Sequence, residues 1–253
     1  MLRSEFELLL NQALSPNRFK DYAPNGLQVE GKKEISRVVT GVTACQALID
    51  AAIEYKADAI FVHHGYFWKN EIPQIVGMKY RRISALIKHD INLYGYHLPL
   101  DAHPVLGNNA GLADAIGLLN RTGLQPGVAI EESIGVVGEL REPVSVSVFR
   151  AMVEKAVERE VLFECVGDRK IHRVALCTGG AQGYIEQAVD AGADVYITGE
   201  VSEQTIHIAR EMGIHFIAAG HHATERFGVK SMAAFLSEEC GLDAVFIDID
   251  NPA

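Results

Sequence analysis

Two stretches of the chain gather residues able to hold a metal: Phe61-Val62-His63-His64-Gly65 and Gly220-His221-His222-Ala223-Thr224-Glu225. A lone histidine pair after an apolar run is ordinarily one packed ring and one solvated ring. The second stretch adds weight, because His221 and Glu225 are four residues apart and His222 and Glu225 three apart. On a helix either pair shares a face and could chelate. A further donor, Asp101, lies in His97-Leu98-Pro99-Leu100-Asp101-Ala102-His103-Pro104. His63, His64, Asp101, His221 and Glu225 make three imidazoles and two carboxylates, enough for two divalent ions sharing Glu225 as a bridge. Nitrogen and oxygen donors without thiolate suit Zn, Mn, Fe, Co or Ni and disfavour Ca and Cu(I). Two such ions against two carboxylates leave a formal excess of about two positive charges, which attracts hydroxide and an anionic substrate. A dinuclear centre also lowers the pKa of bound water towards neutrality. The chemistry expected is hydrolysis, through a metal-bridging hydroxide, of a small phosphorylated or nucleotide-like molecule. His97 and His222 are the expected catalytic proton carriers, and His97, His103 and His222 could equally orient ligands.

Elements must place these groups. Ala59-Ile60-Phe61-Val62 reads as a buried strand, so His63 and His64 fall at its carboxyl end, where open α/β sheets bind ligands. Adjacent side chains on a strand point to opposite faces. If both histidines serve one site, the chain must leave the extended conformation there, and Gly65 permits the turn. Ser4 with Glu7 suggests a capped first helix. A loop then carries a short extended segment at Leu27-Gln28-Val29. The sequence predicts strand at 35–42, helix at 44–55, strand at 57–62, helix at 79–88 and strand at 91–96, the alternation of a parallel sheet. Pro99 and Pro104 make 97–104 a structured loop, followed by a helix at 108–116. Residues 118–166, rich in glycine and proline at first, read as a satellite with a strand at 134–140, a helix at 147–159 and a strand at 161–166.

From Arg173 the earlier pattern returns. A shift of 136 residues lays Arg37 to Val62 on Arg173 to Thr198 without a gap, matching Ala57-Asp58 with Ala193-Asp194. This predicts an internal duplication. On that register His63-His64 faces Gly199-Glu200, and the loop with Asp101 corresponds roughly to the one with Glu225. A strand at 215–218 leads into His221, which opens a long helix towards Glu238. The expected organisation is a first α/β half at 1–118, a short middle region at 119–170 and a second α/β half at 171–253. Thr178-Gly179-Gly180 and Thr198-Gly199-Glu200 could offer amides to a phosphate, although turn geometry alone accounts for such glycines. Trp68, beside Tyr66 and Phe67, is either packing or a wall for a base.

Composition narrows the classes. The 253 residues are 48% hydrophobic and 22% charged, an ordinary globular balance. A net charge of −10 disfavours nucleic acid as a partner held by bulk attraction. Cys45, Cys165, Cys177 and Cys240 form no C-x-x-C pair, which fits reduced cytoplasmic thiols without a disulfide or zinc knuckle. Glu5 and Glu7 interrupt the leading leucine run, unlike a secretion signal, and no window is long enough to span a membrane. Neither G-x-G-x-x-G nor a P-loop is present. The expected location is the cytoplasm.

Five stretches, DYAPNGLQVEG at Asp21 to Gly31, FVHHGYFWK at Phe61 to Lys69, YHLPLDAHPVLGNN at Tyr96 to Asn109, TGEVSEQTIH at Thr198 to His207 and GHHATER at Gly220 to Arg226, resemble the Nif-three-like family. Its bacterial members are catalogued as homologues of GTP cyclohydrolase I type 2. The resemblance implies two duplicated, interlocking α/β domains with a dinuclear metal site between them. It implies a toroidal homo-oligomer, commonly a hexamer. It assigns one ion to His64, Asp101 and Glu225 and the other to His63, His221 and Glu225. The family name implies GTP as substrate. The longer members carry an inserted middle domain, where this chain has only the short 118–166 region. A rival reading of the same residues is a non-catalytic metal-binding ring that interacts with DNA or protein partners.

Overall fold

Strands made of uninterrupted apolar residues are stable only when both faces are covered, and this chain builds two sheets around such strands. The computed structural model describes residues 1–253. In chain order the elements are α1 (Arg3–Leu14), β1 (Gly26–Val29), β2 (Arg37–Thr43), α2 (Gln46–Glu54), β3 (Ala59–His64), α3 (Gly77–Lys88), β4 (Asn92–Gly95), α4 (Leu98–Ala102), α5 (Asn108–Ala115), β5 (Leu119–Gly123) and β6 (Val136–Val144). There follow α6 (Val146–Val157), β7 (Leu162–Glu164), β8 (Ile171–Leu176), α7 (Ile185–Asp190), β9 (Val195–Thr198), α8 (Glu203–Met212), β10 (His215–Ala218), α9 (His221–Thr224), α10 (Arg226–Glu238) and β11 (Asp243–Phe246). They form one unit of Met1–Leu100 with Gly228–Asp250, and a second of Asp101–Phe227 with Asn251–Ala253.

The first unit holds a five-stranded sheet in the order β1-β4-β3-β2-β11. All pairs are parallel except β1 on β4. Alternation along β3 sends Ile60 and Val62 into a core with Leu48, Ile49 and Ala52 of α2 and Ile83 and Leu86 of α3. On β4, Tyr94 meets Phe6 of α1 edge-on at 5.1 Å. Thr40 on β2 donates its hydroxyl to the Val229 carbonyl of α10 at 2.8 Å. Helices therefore cover both faces. The first helix is capped differently from the sequence expectation. Glu5 accepts from the Leu2 N–H at 2.8 Å, because pairing of Leu2 with Glu34 fixes where the helix begins.

In the second unit the order is β5-β6-β8-β9-β10-β7. β8, β9 and β10 run parallel, flanked by antiparallel strands on both sides. Val195 and Ile197 face α5 and α6 through Leu112, Phe149 and Val153. Tyr196 faces α7 and α8 through Ile185, Ala188 and Ala209. The stretch read as a satellite is thus woven into this sheet, since β6 pairs directly with β8.

Asp58 and Asp194, which the 136-residue shift superposes, do the same work in their own sheets. Asp58 Oδ2 accepts from the N–H groups of Ser36 and Arg37 at 3.0 Å each. Asp194 Oδ2 accepts from His172 and Arg173 at 2.9 Å each. In both units a short strand lying the same 136 residues apart, β1 or β7, closes one edge antiparallel to β4 or β10.

Two local expectations change. The strand β3 continues through His63 and His64, where the chain was expected to leave the extended conformation. Their imidazole centroids still come within 4.5 Å, so the rings meet around the strand end without a chain reversal. Residues 98–102 form the helix α4 and not a loop. Pro99 is its second residue, where the missing N–H has no helical partner to lose.

Candidate metal centre

In the first unit the carboxyl ends of β3 and β4 bring three imidazoles together. Donor nitrogens of His63, His64 and His97 lie within 4.8 Å of one another. His63 is 1% exposed, and its Nδ1 lies 3.1 Å from the Tyr96 carbonyl. A carbonyl only accepts, so that nitrogen carries the proton and Nε2 presents the lone pair. His64 Nδ1 lies 3.2 Å from the Thr43 hydroxyl, a contact that fixes the ring's place but not its tautomer.

His97 is held through both its ring and its backbone. Its Nδ1 lies 2.7 Å from Asp21 Oδ1, its backbone N–H donates to Asn25 at 2.8 Å, and the next N–H, of Leu98, donates to Asp21 Oδ2 at 2.9 Å. Burial pushes the Asp21 carboxyl up, but His97, Asn25 and the Leu98 amide outweigh it and hold its pKa down to about 2. Trp68 stands edge-on to His97 at 4.9 Å and donates its indole N–H to the Gly65 carbonyl. It packs as a wall of the histidine cluster.

In the second unit the donors come from α4 and from the junction of α9 and α10. Asp101 and Glu225 are 7% and 2% exposed, with carboxylate oxygens within 4.8 Å of each other. Asp101 accepts from Asn108 Nδ2 at 2.9 Å and from the Thr178 hydroxyl at 3.3 Å. The helix expected to run on from His221 breaks at Glu225, between α9 and α10. Even so, His221 Nε2 lies 3.2 Å from Glu225 Oε1. His221 Nδ1 lies 2.7 Å from Glu200 Oε1. Burial draws the His221 pKa down, but Glu225 and then Glu200 carry it up to about 9.

Space around Glu225 is reserved by glycine. A Cβ on Gly179, whose φ is +72°, would stand 2.1 Å from Glu225 Oε1 and 3.3 Å from His221 Nε2. The glycine at this strand end therefore serves the carboxylate as well as the turn. Cys177 registers the local field, since burial first, then the charges of Asp101 and Glu225, push its thiol well above the usual range. Two buried carboxylates this close demand a cation. At neutral pH a proton sits on His221 where an ion could replace it. These imidazoles and carboxylates are thus of the types that could hold a metal ion.

Of the two expected proton carriers, His97 belongs to the imidazole cluster. His222 is buried, and its backbone N–H donates to the Ala253 carbonyl at 3.1 Å. His103 Nδ1 accepts from the Val105 and Leu106 amides and caps its own loop. Sequence reasoning did not single out Asp21, Glu200, Asn108 or Thr178 as supports of the donors. The signal for Glu200 was its place opposite His64 in the 136-residue register.

The family profile described as Duf34/NIF3 (NGG1p interacting factor 3) matches residues 1–252. A Haemophilus influenzae protein named GTP cyclohydrolase 1 type 2 homolog is 57% identical over 251 residues, 98% of each chain. Among solved structures, the protein ybgI, described as of unknown function, matches with a TM-score of 0.95 at 51% identity over 100% of both chains. TTHA1606 from Thermus thermophilus matches with a TM-score of 0.90 at 35% identity, again over 100% of both. No helix of this chain is long and apolar enough to cross a membrane.

Proposed function

Because the chain belongs to the Duf34/NIF3 family, we propose that it is a two-metal hydrolase acting on a small nucleotide-like or phosphorylated molecule. In this reading His64, Asp101 and Glu225 hold one divalent ion and His63, His221 and Glu225 the other. The observation that carries it is the buried Asp101–Glu225 pair with His221 against it and Gly179 keeping the space clear. Imidazoles alone bring no countercharge, and two carboxylates alone bring too few neutral donors. Joined, the two sets satisfy both needs. The ions would supply acidified water and a positive field for an anionic substrate.

The chain's own residues do the rest. Asp21 orients His97 so that its Nε2 can take or return a proton, and Trp68 supports the ring from the side. His222 is the second proton carrier in this reading. Asn108 and Thr178 hold Asp101 in place. The matching Asp58 and Asp194 clasps support the view that the two units arose by duplication. A ring-shaped homo-oligomer completes the proposal, and the name carried by the relatives makes GTP the first substrate to try.

The test is a nucleotide hydrolysis screen on metal-loaded protein beside Glu225→Ala. Turnover that depends on metal and vanishes in the variant is expected. Equal turnover in the metal-free variant would overturn the proposal. Metal binding without turnover of any nucleotide, together with DNA binding at low salt, would favour the non-catalytic ring.

A further inference from the structure

Glu200 sits beyond β9 at the position that the 136-residue register pairs with His64. Its placement is built. Gly199 lets the chain press against α9, since a Cβ there would stand 2.6 Å from the Cα of His221. Gly180 leaves room for the Glu200 carboxylate, 3.3 Å from where its own Cβ would be. The two carboxylate oxygens have separate tasks, with Oε1 at 2.7 Å from His221 Nδ1 and Oε2 accepting from Gln182 Nε2 at 3.4 Å. Nδ1 and Nε2 lie on different edges of the imidazole. Glu200 therefore grips the edge away from Glu225, whose Oε1 is 3.2 Å from Nε2.

Resting on the two-ion reading above, we propose that Glu200 is the positioning residue for His221. It keeps the proton on Nδ1 and presents Nε2 to the ion shared with Glu225. A carboxylate behind a ligating histidine fixes its tautomer and orientation, and losing one typically costs ~10–100-fold in metal affinity. Glu200 is half-exposed, so its removal leaves the core intact.

The experiment measures Zn(II) affinity and stoichiometry of the full-length protein by chelator competition, for wild type, Glu200→Ala and Glu200→Gln. Thermal melts are run alongside, and nitrogen-15 NMR of the Zn-loaded proteins reads the His221 tautomer. Glu200→Ala should weaken one ion by ~10–100-fold and leave the other within about twofold. Its melt should match wild type, and the His221 signals should show mixed tautomers. Glu200→Gln, which can still accept from Nδ1–H, should recover most of the loss. Wild-type affinity and a single tautomer in Glu200→Ala would overturn this inference while leaving the two-ion reading standing. Equal loss of both ions with a lowered melt would overturn it in favour of a structural role. Failure of the wild type to bind two ions would instead overturn the two-ion reading.

Discussion

The two units share a clasp and differ at the strand ends. In each, an aspartate at the start of the second parallel strand binds the N–H groups that lead into the first. In each, a short antiparallel strand closes one edge. Yet where β3 ends in His63 and His64, the chain after β9 offers Gly199 and Glu200. The first unit puts imidazoles on the strand itself. The second takes its donors from the helical turns α4 and α9 and the residue that breaks α9 from α10. Its strand ends supply glycine space and a supporting carboxylate. One scaffold can therefore carry donors at one edge and hold donors brought from elsewhere at another, provided the small residues are in the right places.

The two units differ most at Gly179, which the register pairs with Thr43. Gly179→Ala meets Glu225 Oε1 at 2.1 Å and puts a side chain at positive φ. We expect a loss of about 1–2 kcal/mol from the backbone alone and loss of metal binding, read by melting and Zn(II) titration. Asp58→Asn comes next. That carboxylate accepts from the Ser36 and Arg37 amides, the Ser36 hydroxyl and Lys32 at 2.6 Å, and its replacement should cost ~2–3 kcal/mol in denaturant unfolding. Asp194→Asn should cost less, on the order of 1–2 kcal/mol, because its cation, Arg169, is farther away at 3.4 Å.

Acid separates the wild type from Asp58→Asn. Burial raises the Asp58 carboxyl, but Lys32 and the Arg37 and Ser36 groups outweigh it and hold its pKa down to about 2, against 3.8 ordinarily. A depressed carboxylate stabilises the fold above its unfolded pKa, and that stability drains as pH falls through the folded value. After solvent screening, on the order of 1–2 kcal/mol should therefore be present above pH ~4 and drain away as pH falls through ~2. Parallel wild-type and variant stabilities over that window would refute the assignment. The smallest effect belongs to Thr43→Val, which replaces only the hydroxyl beside His64 with a methyl group. It should move stability by about 0.5–1 kcal/mol and leave two-ion stoichiometry unchanged.

Much of the fold was legible because parallel strands need continuous apolar runs. Ala59 to Val62 and His215 to Ala218 announce themselves, and the Ala-Asp pairs at 57–58 and 193–194 align the two sheets. What sequence missed depends on long-range contacts. The start of α1 is fixed by a bridge from Leu2 to Glu34, which no local cap signal encodes. The strand expected at 134–140 is β6, but β5 lies in a stretch of glycine and proline whose apolar pattern is weak, and only its pairing with β6 defines it. Pro99 reads as a breaker until its place in the first turn of α4 is seen. Candidate donors were visible as residue types, but Asp21 behind His97 and Glu200 behind His221 bind across 76 and 21 residues of chain. Their roles emerge from the folded sheets.

A pair of ions sharing Glu225 is the arrangement proposed for the metal centre. Its most direct test is to load the full-length protein with Zn(II), remove excess by dialysis and count ions per chain in wild type and Glu225→Ala. About two ions are expected in the wild type and fewer than one in the variant, because a shared bridge serves both. Two ions retained in Glu225→Ala would contradict it.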